Sequence, residues 1–78
     1  MDKNVALIHL EEGTEAVISA IVGGREATKR LSDLGLTPET RLKILRKAPF
    51  WGPLEIEVRG SRLVIGRGIA SKVMVKPV

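Results

Sequence analysis

A chain of 78 residues with no cysteine must hold its fold together by burial alone. No disulfide can staple it, and thiolate chemistry and every Cys-containing metal site are excluded with it. A chain this short buries only about 60% of the surface that its unfolded form exposes. The buried part must also be aliphatic. Phe50 and Trp51 are the only aromatic residues, and there is no tyrosine. Hydrophobic residues at 44% and charged residues at 28% fit a folded globular chain. One domain is expected, spanning residues 1–78. A substrate cleft of ~300 Å³ would have to be hollowed from its small core, so a binding module is expected and an enzyme with a small-molecule substrate is not.

The order of elements reads as mainly β. After the apolar run Val5–Ile8, Glu11-Glu12-Gly13-Thr14 reads as a turn, with Gly13 supplying the permissive backbone. Residues 15–22 are rich in β-branched side chains, with apolar residues on both faces. Gly23-Gly24 breaks that strand, and from Arg25 the period changes. Ala27, Leu31 and Leu34 form one helical stripe, so a short helix is expected over 25–34. Gly35 sits where a helix terminates with positive φ, and Pro38 takes the second position of a Thr37–Thr40 turn.

Three further strands and a closing one follow. Residues 41–47 alternate until Leu45 follows Ile44 directly, the mark of a bulge or of a strand covered on both faces. Leu54, Ile56 and Val58 alternate cleanly with Glu55, Glu57 and Arg59. Gly60-Ser61 is the expected hairpin turn into Leu63-Val64-Ile65. Ile69, Ala70 and Val73 suit one helical turn before the last strand. About five short strands at this spacing, with one short helix inserted, fit a small SH3-like five-stranded barrel, which also removes exposed sheet edges.

No pattern for catalysis, metal or cofactor stands out. His9 is the only histidine, and Ser19, Ser32, Ser61 and Ser71 lack a nucleophile motif. Glu55 and Glu57 share a strand face, where the expected partners are Arg59 or Arg62. Gly66-Arg67-Gly68 and Gly23-Gly24 lack the Lys-Ser/Thr that a phosphate loop requires. Charge is lopsided along the chain. Residues 1–39 carry four basic and seven acidic residues, whereas residues 40–78 carry nine basic and two acidic ones. Arg41, Lys43, Arg46 and Lys47 fall on one expected strand, but without the interleaved aromatics of nucleic-acid-binding barrels, so nucleic acid is not the expected partner. The most informative stretch is Ala48-Pro49-Phe50-Trp51-Gly52-Pro53. Two large rings in a proline-bracketed loop either fold back over an open barrel end or stand exposed to anchor a partner. Pro49, Phe50, Trp51 and Pro53, with Arg46 and Lys47 beside them, are the candidate partner surface. The protein is expected as a monomer or a weak self-associate. No secretory signal or membrane span is read in the chain, so a cytoplasmic location is expected.

Several stretches together resemble the FeoA family. They are Gly23-Gly24; Lys29-Arg30-Leu31-x-Asp33-Leu34-Gly35-Leu36-Thr37-Pro38-x-Thr40; Arg46-Lys47-Ala48-Pro49-Phe50-x-Gly52-Pro53-Leu54-Glu55-Ile56-x-Val58-Arg59-Gly60; and Arg67-Gly68-Ile69-Ala70-x-Lys72-Val73-x-Val75. The resemblance implies an SH3-like barrel in the cytosol that handles transition-metal transport as an accessory to FeoB, an inner-membrane ferrous-iron transporter with a GTPase domain. A similar domain ends some iron- and manganese-dependent repressors, so a free-standing regulatory or nucleic-acid-binding module is the alternative. The family brings no catalytic residues. This chain departs from its pattern at two places. Glu39 stands where glycine is frequent, which favours a type I turn because positive φ is costly for glutamate. Trp51 stands where the family often has glycine, so a partner role for Trp51 is particular to this chain.

Overall fold

The computed structural model describes residues 3–78. Six strands form one antiparallel sheet in the order β1-β6-β2-β3-β4-β5. They are β1 (Val5–Ala6), β2 (Glu15–Ile21), β3 (Arg41–Lys47), β4 (Leu54–Val58), β5 (Ser61–Ile65) and β6 (Val73–Pro77). A 3-10 turn at Leu7–His9 follows β1, helix α1 (Gly24–Asp33) links β2 to β3, and the single turn α2 (Arg67–Ala70) links β5 to β6. Inward residues of β2, β3, β4, β5 and β6 share one core cluster with Leu7, Leu10, Leu31, Leu36 and Ala70. A flat sheet could not bring them together. The sheet curls on itself, and the 3-10 turn packs against α2. This is the expected small SH3-like fold, with a radius of gyration of 11.2 Å.

The sixth strand corrects the expected five. Val5 and Ala6 pair with Val75 and Met74, too short a ladder to leave an alternation in the sequence. The clean alternation of β4 is borne out: Leu54, Ile56 and Val58 are buried. So is the irregularity at Leu45, where the β3–β4 register shifts between Ile44 and Arg46. A second shift, between Ile18 and Ala20, turns the end of β2 outward and leaves Ala20 exposed. The β4–β5 turn is Arg59-Gly60, one residue earlier than expected, because Ser61 already pairs with Val58.

Helix α1 runs one residue ahead of the expected 25–34. Its end explains why. Gly35 has φ +86 and donates to the Ser32 carbonyl, while the Leu36 amide donates to the Leu31 carbonyl at 2.9 Å. This double bond pattern reverses the chain and brings Leu36 back onto Leu31, both buried. Leu34 therefore caps the helix at 42% exposure, and Leu36 takes the core position that the stripe assigned to Leu34.

The Thr37–Thr40 turn carries a second correction. Glu39 has φ +74, not the negative φ of the expected type I turn. Its amide donates to the Ile18 carbonyl at 2.8 Å, and the Ile18 amide donates to the Thr40 carbonyl at 2.9 Å. These two bonds to β2 hold a conformation that glutamate alone would avoid.

Candidate functional site

The β3–β4 hairpin ends in the loop 48–53. The last ladder pair is Lys47 with Leu54. Beyond it the Ala48 amide donates to the Pro53 carbonyl at 3.0 Å, and Pro53 has no N–H to return. A tight turn closes the tip, with the Gly52 amide donating to the Pro49 carbonyl at 3.2 Å. Its two central residues, Phe50 and Trp51, have φ +56 and +63. Positive φ at both centres marks the type I′ handedness that suits the twist of a hairpin, where Asn-Gly is the usual pair. Gly52 cannot carry a side chain, because a Cβ there would lie 2.7 Å from that of Ala48.

The rings do not cover the barrel end. Phe50 is 94% exposed and Trp51 82% exposed. Neither ring belongs to the core cluster. The first residue of α2 reaches the tip. The guanidinium carbon of Arg67 lies 4.9 Å from the centre of the Trp51 ring, within cation–π range, and its Nε is buried without a hydrogen-bond partner. Arg67 was not among the expected surface residues. The separation of 16 positions hides it from a sequence reading, since only the fold brings the start of α2 to the hairpin tip.

The basic residues of β3 disperse. Arg41 pairs with Glu15 at 3.2 Å. Arg46 lies 3.7 Å from Glu55, whose other oxygen is 3.7 Å from Arg62. Of the two expected partners for Glu55, Arg62 is therefore present, while Arg46 takes the place of Arg59. Lys43 stands opposite Glu57 and Glu15 in register. Lys47 is turned to the other side of the strand. Its ammonium donates to the Ile8 carbonyl at 2.9 Å, and its backbone amide donates to a Glu12 carboxylate oxygen at 2.7 Å. The expected surface thus separates into an exposed aromatic tip, an Arg46 shared with Glu55, and a Lys47 that ties the barrel end together. Pro49 and Pro53 are exposed on either side of the tip.

The remaining expected positions are turns and caps. Gly13, Gly24, Gly35 and Gly60 all have positive φ, and Pro38 lies in the Thr37–Thr40 turn. His9 is exposed. Among the described residues no three His, Asp or Glu side chains converge to hold a metal. No helix of the described residues is long and apolar enough to cross a membrane. A shallow hollow of about 210 Å³ lies between α1 and α2, lined by Ala27, Leu31 and Ile69 with Glu26, Arg30 and Lys72 at its edge.

Comparison with known proteins covers nearly the whole of this surface and core. The model of the FeoA domain matches residues 5–77. An Fe(2+) transport protein A of Methanocaldococcus jannaschii is 37% identical over 70 residues, which is 90% of this chain and 83% of that protein. A crystal structure of an iron uptake regulatory protein, FeoA, shares 34% identity with a TM-score of 0.89, covering 97% of this chain and 99% of that one. The solution structure of a FeoA protein from Chlorobium tepidum shares 31% identity at a TM-score of 0.84, over 95% of this chain and 70% of that one. A manganese-dependent transcriptional repressor matches all of this chain over 44% of its own length at a TM-score of 0.89. At 15% identity that likeness is one of fold.

Proposed function

This chain belongs to the FeoA family, and we propose on that premise that it is a non-enzymatic accessory protein of ferrous iron uptake. It acts in the cytoplasm, binding the cytosolic part of a FeoB-like inner-membrane transporter and modulating transport. The observation that carries this reading is the hairpin tip. Two aromatic side chains on strained backbone, with a cation stacked on one of them, do nothing for the core, whereas exposed aromatics and arginine suit an interface. The end of the barrel that bears Pro49, Phe50, Trp51, Pro53 and Arg46 is the face offered to the transporter, and Lys47 shapes that end from within.

A nucleic-acid role gains nothing from the geometry. Such binding rests on cations free to neutralise phosphates. Arg41, Arg46 and Arg62 lie against carboxylates, and Lys47 is bonded to a backbone carbonyl. Calorimetry of this protein against the soluble cytosolic part of the transporter tests the proposal. Heat of binding with a Kd of ~100 μM or tighter is expected, about 5–6 kcal/mol of affinity. Folded protein that gives no heat at that concentration overturns it.

A further inference from the structure

The hairpin tip carries chemistry that a protein contact alone does not account for. Phe50 and Trp51 are adjacent, nearly fully exposed and lie at the tip of the β3–β4 hairpin. Their neighbours in the chain are prolines and a glycine. Together they offer roughly 300–500 Å² of ring surface, well short of the ~800 Å² per partner that a specific protein interface buries. The other exposed large apolar residues among those described are Val22, Leu34, Val64 and Val78. Val22 and Leu34 flank α1 and Val78 lies beyond β6. Val64 stands opposite Glu55 in register. The tip is thus a narrow wedge and not the centre of a broad apolar patch.

Its surroundings are cationic. Arg67 stacks on Trp51, and at the base of the hairpin two arginines, Arg46 and Arg62, share the single carboxylate of Glu55. The nearest carboxylates are engaged: Glu55 between Arg46 and Arg62, and Glu12 with the Lys47 amide. Rings at an extremity with arginine just behind them reproduce the vertical order of a membrane–water interface. There, aromatic rings sit at headgroup depth and basic side chains meet the phosphates. The type I′ backbone that points both rings outward costs stability at each residue, and a hairpin turn alone would be better made by Asn-Gly.

We propose that the Phe50–Trp51 tip inserts into the headgroup region of an anionic lipid bilayer, with Arg67 held at the phosphate level. This concerns the same rings as the transporter reading, assigns them to lipid in place of protein, and requires no transporter. The attachment is shallow and reversible. Two rings and a few cations do not approach the hold of a membrane-spanning helix.

Trp51 is the only tryptophan, so its fluorescence reports its own environment. The test mixes the full chain with vesicles of phosphatidylcholine containing about one third phosphatidylglycerol, and separately with pure phosphatidylcholine. The expected result is co-sedimentation with the anionic vesicles, a blue shift of Trp51 emission, and weakening as salt screens the surface charge. Arg67→Gln is expected to weaken vesicle binding about fivefold, the effect of one basic residue near an anionic surface. The double variant Phe50→Asn/Trp51→Gly places the preferred turn residues at the tip, so it folds, and it is expected to lose co-sedimentation. Wild-type protein that neither sediments nor shifts at low salt overturns the proposal. So does a double variant that sediments like wild type, because the cations then bind without the rings. If the double variant loses affinity for the lipid-free transporter fragment while wild type ignores vesicles, the rings belong to a protein contact. That result overturns the membrane proposal and leaves the transporter reading standing.

Discussion

Strand β4 ends in a hairpin turn on both sides, and the two turns answer the same geometric demand with opposite chemistry. At one end Arg59 and Gly60 join β4 to β5 with φ +51 and +80. At the other, Phe50 and Trp51 join β3 to β4 with φ +56 and +63. Positive φ at both central residues follows from the right-handed twist of the flanking strands. The Arg-Gly turn meets the demand at half cost, since glycine enters this region freely. The Phe-Trp turn meets it with two bulky side chains, each strained by about 1–2 kcal/mol. Against a domain stability of ~5–15 kcal/mol that is a large sum to leave in one loop. Turn chemistry explains the first pair of residues and not the second.

The comparison is broken most severely at Gly52. A methyl group there meets Ala48 Cβ at 2.7 Å and the Pro49 carbonyl oxygen at 3.0 Å. Neither neighbour can swing away as a long side chain would. Gly52→Ala is expected to destabilise the protein by about 2–3 kcal/mol in urea unfolding. A loss under 0.5 kcal/mol would mean that the tip rearranges at little cost and stores little strain.

The opposite sign is expected for the double variant Phe50→Asn/Trp51→Gly. It relieves both strained centres, with part of the gain returned because glycine frees the unfolded chain. A net stabilisation on the order of 1 kcal/mol is expected, seen as a higher urea midpoint at unchanged slope. Stability that rises as surface binding falls is the signature of a functional loop. Stability that falls would show that the rings support the fold after all.

These turns also show what the sequence could reveal. The β4 alternation, the helix stop at Gly35 and the bulge beside Leu45 are written in local patterns, and each is found in the structure. The positions that escaped a sequence reading depend on residues distant in the chain. Glu39 holds φ +74 because Ile18 of β2 bonds on both sides of it. Leu36 displaces Leu34 from the core because the chain reverses after Gly35. The run Arg41, Lys43, Arg46, Lys47 reads as a basic stripe until the register sets Glu15, Glu55 and Glu57 beside it and turns Lys47 inward. The exposure of Phe50 and Trp51 was open in the sequence for the same reason. The folded chain leaves both rings outside the core cluster.

The Arg59-Gly60 turn supplies the controls. Gly60→Ala places a methyl group in open space but at φ +80, so backbone strain alone is expected to cost about 1 kcal/mol. That single number calibrates positive φ in this fold, free of any steric clash.

The smallest effect is expected at Arg59. Arg59→Asn puts the preferred first residue of a type I′ turn before Gly60 and removes one exposed cation. Asparagine tolerates the left-handed region better than arginine, so a gain of about 0.5 kcal/mol is expected in the urea midpoint. Phe50→Asn alone makes the matching change at the opposite end of β4. If strain at the two turns is of one kind, the two asparagine variants gain by similar amounts. Only the Phe50 variant then loses vesicle binding. A gain at Arg59 with none at Phe50 would mean that the exposed ring holds its own loop in place, and the contrast between a turn built for folding and a turn built for contact would disappear.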